Sequence, residues 1–336
     1  MVWLKFLLAA IIILFAGTKL ARYGDAIAEK TGLGRLWIGL VLLAAVTSSP
    51  ESVTAVSSAA LIKLPDLALG TLLGSCLYNL TILALLDVLY RGAPILSKVS
   101  RGHMASAGMG ALLMALAGGS ILAGERFSEL SLGWVGIPSI VIIISYLVYA
   151  RQTFYFERKR NSVPSPTESL MHSQIPTGTA YLRFSMAAVA VIAAGIWLSF
   201  IGDEIARTTG WGISFVGSLF LAISTSMPEL VVTVAAVRLG AADMAVANLL
   251  GANMLDVVAI LWADLFYTQG PLLAVVSKTH LITAGVTIIA NLLVIAGLGF
   301  RQKRKTFIVT SWYGPLLIGL YLFAAYALFV SDISPG

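Results

Sequence analysis

Thr47-Ser48-Ser49-Pro50-Glu51 lies in the middle of a long apolar run, and Thr225-Ser226-Met227-Pro228-Glu229 repeats the pattern in the middle of another. A proline inside a helix removes a backbone donor and breaks the helix. A carboxylate in an apolar span costs at least about 2.5 kcal/mol to insert into lipid. The same break beside the same acid, twice, makes the two segments one problem. Working outward, the register of the match continues. Gly24-Asp25-Ala26-Ile27-Ala28 with Thr31-Gly32-Leu33-Gly34 returns 178 residues later as Gly202-Asp203-Glu204-Ile205-Ala206 with Thr209-Gly210-Trp211-Gly212. Beyond the motif the spacing is 177: Asp66, Gly74, Asp87, Tyr90, Pro94, Ser100, His103 and Gly108 return as Asp243, Gly251, Asp264, Tyr267, Pro271, Ser277, His280 and Gly285. So many matches in one register identify an internal duplication.

The composition says where the duplicated unit lives. Of 336 residues, 58% are apolar and 11% are charged, against about a quarter charged in soluble domains. A soluble globule is excluded, and the reading is an all-α integral membrane protein. Long apolar runs predict ten transmembrane helices near 2–19, 34–62, 67–89, 104–124, 131–150, 184–202, 211–237, 244–267, 280–299 and 307–330, with helices 2 and 7 broken at the prolines. The first run resembles a signal peptide but has a repeat mate, so it is read as a retained helix. The one long polar stretch, Glu157 to Thr179, contains Arg158-Lys159-Arg160 and Pro164, Pro166 and Pro176. The organisation is therefore a first five-helix repeat (1–150), a flexible linker (151–183) and a second repeat (184–336). Alternate loops divide the basic residues unequally, 17 of the 22 Lys and Arg falling on the linker's side. By the positive-inside rule the linker is cytoplasmic and both termini are outside a cell membrane that the chain crosses many times. The net charge of +6 is thus topology and no sign of a nucleic-acid partner. Five helices per repeat, an odd number, invert the second repeat with respect to the first, the architecture of secondary transporters with a site at the midplane.

With so few charges in lipid, the acidic residues inside spans are the place to look for chemistry. Glu51, Glu229 and Asp256 are deep, whereas Asp87 and Asp264 stand near span ends and read as solvated caps. The prolines should free carbonyls around Ala44 to Thr47 and Ala222 to Thr225. Together with the hydroxyls of the two motifs, these make a set of hard oxygens of the kind Ca²⁺ takes in sixes to eights. Two glutamates match one Ca²⁺ or two Na⁺. The competing reading is structural: Ser48-x-x-Glu51 and Ser226-x-x-Glu229 are also capping boxes. Gly74-Ser75-Cys76-Leu77-Tyr78-Asn79 matches Gly251-Ala252-Asn253-Met254-Leu255-Asp256, which sets an amide opposite a carboxylate. Ser75 and Asn79 are one helical turn apart and share a face; an interhelical hydrogen bond is the alternative role for Asn79. Inversion puts His103 and His280 on opposite sides of the membrane, where they read as helix-end packing. Cys76, the single cysteine, reads as a small packing residue. No cofactor-binding motif is present.

At these residues the chain resembles the sodium/calcium exchanger superfamily of cation/Ca²⁺ antiporters, prokaryotic type, whose repeats carry Gly-Thr-Ser-x-Pro-Glu followed by Gly-Ser-Asn-x-x-Asn/Asp. The resemblance spans Gly39 to Asn79 and Gly217 to Asp256. It implies that Glu51 and Glu229 bind Ca²⁺ and Na⁺ alternately, with Asn79 and Asp256 completing a diamond. Thr47, Ser48, Thr225 and Ser226, the hydroxyl of Ser75 and the carbonyls of Ala44 and Ala222 would add oxygens. The chain departs from the pattern at Val46 and Ser224, where glycine is usual, at Cys76 in place of Asn, and at Ala252 in place of Ser. Ala252 withdraws a hydroxyl that the resemblance would offer to Na⁺. The linker is too short for the Ca²⁺-sensing domain of animal relatives. The expected function is secondary active exchange of Ca²⁺ for Na⁺ by alternating access. The alternatives are a Ca²⁺/H⁺ or other cation/H⁺ exchanger and, from another class, an intramembrane aspartyl protease, for which Gly202-Asp203 lacks the second glycine. The partners are Ca²⁺, Na⁺ or H⁺ and the lipid bilayer.

Overall fold

The computed structural model describes residues 1–31, 44–90, 92–124, 131–160, 176–238, 240 and 242–333. It is almost wholly helical. The helices are α1 (Val2–Thr31), α2 (Ala44–Thr47), α3 (Ser49–Ala60), α4 (Pro65–Leu89), α5 (Ile95–Lys98), α6 (His103–Ala123) and, after a two-stranded hairpin β1 (Ser131–Leu132) and β2 (Val135–Gly136), α7 (Ile137–Arg160). The second half comprises α8 (Thr177–Thr209), α9 (Ile213–Val216), a π-helical turn (Gly217–Leu221), α10 (Ala222–Thr225), α11 (Met227–Arg238), α12 (Ala242–Phe266), α13 (Leu272–Val275), α14 (His280–Phe300) and α15 (Tyr313–Ile333). Among the described residues seven helices are long and apolar enough to cross a membrane, or eight if the bent segment 213–238 is one span. The chain is a multi-span membrane protein.

Several expected boundaries move. The fifth run was placed at 131–150, but 131–136 forms the hairpin, with Ser131 opposite Gly136 and Gly133 at a φ of 70° in the turn. The apolar part of α7 is then Ile137–Thr153. The linker placed at 151–183 is shorter, because α7 continues to Arg160 and α8 starts at Thr177 with Pro176 as its cap. Nothing between Gln152 and Arg160 breaks a helix. The last run was placed at 307–330, but α15 starts only at Tyr313. Residues 34–43 of the second expected span lie outside the described residues.

Burial sorts the helices into layers. The most apolar windows of α4 and α12 are 72% and 89% buried, those of α1 and α15 only 22% each. The repeat mates α4 and α12 are therefore the central pair, and α1 and α15 present most of their apolar surface outward, which in this class of protein means to lipid. Close approach is bought with glycine. Gly70 and Gly74 of α4 lie against Ser214 and Ser218, so that a Cβ on Gly74 would overlap the Ser218 backbone. Gly17 of α1 lies against the ring of Pro228, and its repeat mate Gly195 of α8 against Val53 and Thr54. Each outer helix thus touches the broken segment of the other half.

Asp87 and Asp264, expected as solvated caps, are fully buried. Asp87 accepts bonds from Ile95 N (2.9 Å), Ser311 N (2.6 Å), Thr310 Oγ1 (3.1 Å) and Tyr313 Oη (2.5 Å). Asp264 accepts from Leu272 N (2.7 Å), Gly136 N (2.9 Å) and Ser139 Oγ (2.6 Å). Each carboxylate staples two loops to the end of a central helix, and the pull of Asp87 on residues 310–313 accounts for the late start of α15. The histidines also do more than pack. His103 Nε2 is 3.0 Å from Asp243 Oδ1 and His280 Nε2 is 3.1 Å from Asp66 Oδ1, each pair joining the two halves.

Replacing Gly74 by Ala should destabilise the protein by about 1–3 kcal/mol, because backbone rather than a mobile side chain must yield. Gly119→Ala, with nothing within 4 Å of the added methyl group, should be neutral or stabilising. Thermal unfolding of the two variants in detergent checks the contrast.

Candidate cation site

The break in the first half falls at Ser48, whose φ of −81° and ψ of 8° interrupt the helix between α2 and α3. The second break falls at Ser226, with a φ of −85° and a ψ of 11°, and α11 leaves it bent by 44°. Pro50 and Pro228 then occupy the first turn of the new segment, where the missing donor costs least, and Glu51 and Glu229 follow on that same turn.

The capping-box alternative is not what forms. Ser48 makes no side-chain cap bond. Its Oγ donates to Glu229 Oε1 across the molecule (3.3 Å), and Ser226 Oγ donates to Glu51 Oε1 (2.7 Å). Each serine serves the glutamate of the other half. Thr47 also lies beside Glu229, and Thr225 beside Glu51. On the central pair, Asn79 Nδ2 of α4 donates to Asp256 Oδ2 of α12 (3.3 Å), so the interhelical bond expected as an alternative for Asn79 is present. Ser48 adjoins Asp256 as well. Two broken segments and two central helices therefore meet at one place.

The expectation of free carbonyls at Ala44 and Ala222 fails. Ala44 O accepts Ser48 N (2.8 Å) and Thr47 Oγ1 (3.3 Å), and Ala222 O accepts Ser226 N (3.0 Å) and Thr225 Oγ1 (3.2 Å). A proline strips the carbonyl four residues before it, which here is Val46, and Val46 O takes the hydroxyl of Ser49 (2.8 Å).

All eleven residues singled out in the sequence are buried, and Glu51, Glu229, Asn79 and Asp256 have no exposed surface at all. Five of their oxygens have no hydrogen-bond partner: Glu51 Oε2, Glu229 Oε2, Asp256 Oδ1, Asn79 Oδ1 and Ser75 Oγ. An unmade bond at a buried acceptor costs about 1–3 kcal/mol, and more if it is charged. None of the ion pairs among the described residues involves the three carboxylates. Nor do three His, Cys, Asp or Glu side chains there converge as a metal-ligand set. A cation held here needs the neutral oxygens to complete its shell.

The sequence reading passed over two residues. Asn253 and Asn248 of α12 are 2% and 1% exposed, and neither amide has a partner for its oxygen or its nitrogen. The signal was available in the spacing: Asn253 is three residues and Asn248 eight residues before Asp256, adjoining its helical face.

A family model for the sodium/calcium exchanger protein matches residues 1–154 and 179–330, which is nearly the whole chain. The chain belongs to the sodium/calcium exchanger family. Sodium/calcium exchanger proteins are transporters, so its activity class is cation/Ca²⁺ antiport and not catalysis. The inner membrane protein YrbG of Escherichia coli K12 is 27% identical over 267 residues, covering 77% of this chain and 78% of that one. The sodium/calcium exchanger MaX1 of Methanosarcina acetivorans is 31% identical over 153 residues, 44% of this chain and 39% of its own length. Among solved structures, the sodium-calcium exchanger NCX_Mj superposes with a TM-score of 0.63 at 21% identity, covering 97% of this chain and 99% of that one, which establishes the shared fold.

Replacing Ser226 by Ala removes the donor to Glu51 and should lower thermal stability, an effect of about 1–3 kcal/mol, more in saturating Ca²⁺ than in Ca²⁺-free buffer, because a variant with weaker Ca²⁺ affinity also loses part of the stabilisation that the bound ion supplies. An equal loss in both would separate Ser226 from the cation site.

Proposed function

We propose that this exchanger moves Ca²⁺ against Na⁺ by alternating access at a single site made by the two breaks and the central helices. The single observation that carries the reading is the group of five buried, unpartnered oxygens around the reciprocal serine–glutamate contacts. Glu51 and Glu229 are the charged ligands, and Asp256, Asn79 and Ser75 complete the shell. Thr47, Ser48, Thr225 and Ser226 orient the carboxylates and add hydroxyl oxygens, while Ala44 and Ala222 shape the breaks with engaged carbonyls. The two glutamate Oε1 atoms, already in hand, raise the candidate oxygens to a number suited to Ca²⁺.

Obligate exchange follows from burial. Uncompensated carboxylates sealed from water are costly, so the carrier changes state only when a cation occupies it. In this reading the chain is a ten-helix, inverted five-plus-five repeat in the plasma membrane, with both termini outside and the segment between α7 and α8 cytoplasmic. The outer pair α1 and α8 moves against the rest, a role suited to helices that are largely lipid-exposed and touch both breaks through Gly17 and Gly195.

One observation favours a second reading in which protons replace Na⁺. Ala252, fully buried on α12, offers no oxygen where its repeat mate Ser75 offers a hydroxyl. Proton coupling needs only the carboxylates.

Glu51→Gln and Glu229→Gln should each lower Ca²⁺ uptake into proteoliposomes by at least about tenfold, the scale of one lost charged contact. Wild-type uptake should follow an outward Na⁺ gradient at fixed pH on both sides. Uptake that follows a pH gradient in Na⁺-free medium would assign H⁺ instead, and full activity in either glutamine variant would overturn the site.

A further inference from the structure

Residues 301–312, between α14 and α15, contain Arg301, Lys303, Arg304 and Lys305 and no acidic residue. Two of these side chains are committed within the protein. Arg301 donates to Ser97 O (3.2 Å) and Val99 O (2.9 Å), and Lys305 donates to Val309 O (2.9 Å) and to the carbonyl of Asp87. Lys303 and Arg304 are exposed. The Phe307 N–H donates to Thr310 O (2.9 Å), closing a turn that pushes Phe307, Ile308 and Val309 outward; Ile308 is fully exposed.

The other half has a counterpart. Residues 131–136 stand 177 before 308–313, and the β1–β2 turn likewise exposes Leu132 and Trp134. Both tips are held by the equivalent buried aspartate, Asp87 or Asp264. Their charges differ: the segment before the hairpin carries one Arg against two Glu, whereas residues 301–305 carry four cations. Equivalent apolar tips with opposite charge suit the two leaflets of an asymmetric bilayer, the basic one suiting the anionic cytoplasmic leaflet.

We propose that residues 301–312 form a binding surface for anionic phospholipid in the cytoplasmic leaflet: Phe307, Ile308 and Val309 enter the headgroup–acyl boundary and Lys303 and Arg304 meet the phosphates. Single basic loops steer topology and need no apolar tip; a tip combined with cations is the composition of an interfacial anchor. The surface is not isolated from transport. Asp87, which takes Thr310, Ser311 and Tyr313, ends the helix that carries Ser75 and Asn79, so lipid held at the tip steadies one wall of the cation site. The proposal rests on the orientation given under the proposed function and is independent of which cation is exchanged.

Ile308→Cys gives a single accessible thiol, since Cys76 is buried. A bimane attached there, in liposomes of phosphatidylcholine and phosphatidylglycerol, should be quenched by lipid spin-labelled near the headgroup and protected from aqueous iodide. Iodide quenching without lipid quenching would overturn the surface, whatever the transport result. In flux assays, wild-type Ca²⁺ uptake should rise several-fold as phosphatidylglycerol replaces phosphatidylcholine, and the Lys303→Gln, Arg304→Gln double variant should lose that rise. A double variant that keeps the full lipid dependence would overturn the assignment of the headgroup contacts.

Discussion

The cost of keeping a carboxylate in a water-free interior governs this molecule. Three of them, Glu51, Glu229 and Asp256, have no exposed surface and no basic partner among the described ion pairs. Burial of that kind is tolerated only where hydrogen bonds and counter-charge are supplied. The helix breaks, the hydroxyls that flank them and the glycines that let neighbouring helices close in are the means of supplying the hydrogen bonds.

The solution is reciprocal. A glutamate satisfied by its own capping serine would make each repeat self-sufficient, and two such repeats could pack in many ways. Ser48 bonding Glu229 and Ser226 bonding Glu51 leaves either half incomplete until it meets the other, and the Asn79–Asp256 bond fixes the same pairing on the central helices. The pairs His103–Asp243 and His280–Asp66 also cross between halves. The register of the duplication is therefore enforced by polar contacts, in a setting where apolar surface discriminates poorly between partners.

Much of this was legible in the sequence. The all-helical membrane class, the two breaks and the acids beside them follow from apolar run length, proline and the expense of charge. The ends of elements were harder. The hairpin at 131–136 and the late start of α15 depend on the tertiary grip of Asp264 and Asp87, which no window of sequence contains, whereas the continuation of α7 to Arg160 needed only the absence of a helix breaker to be read. The capping box, the competing reading of the two motifs, does not form for a related reason: a serine and a glutamate three apart specify a local bond only when no better partner comes from elsewhere. The carbonyls of Ala44 and Ala222 are engaged rather than free because they stand six residues before the prolines, whereas the carbonyl that a proline strips is four back and at Val46 takes the Ser49 hydroxyl. Asn248 and Asn253 were overlooked because an amide carries no charge to mark it.

Gly17 on Pro228 and Gly195 on Val53 and Thr54 bear on kinetics. These contacts lie where the outer helix pair meets the two breaks, and glycine gives each a surface without side-chain knobs to lift over. If the outer pair slides as proposed, such contacts would act as bearings, setting the friction of the motion through residues that are not themselves proposed ligands. Turnover and selectivity would then be adjustable by different residues, so that one could drift in evolution while the other stayed fixed.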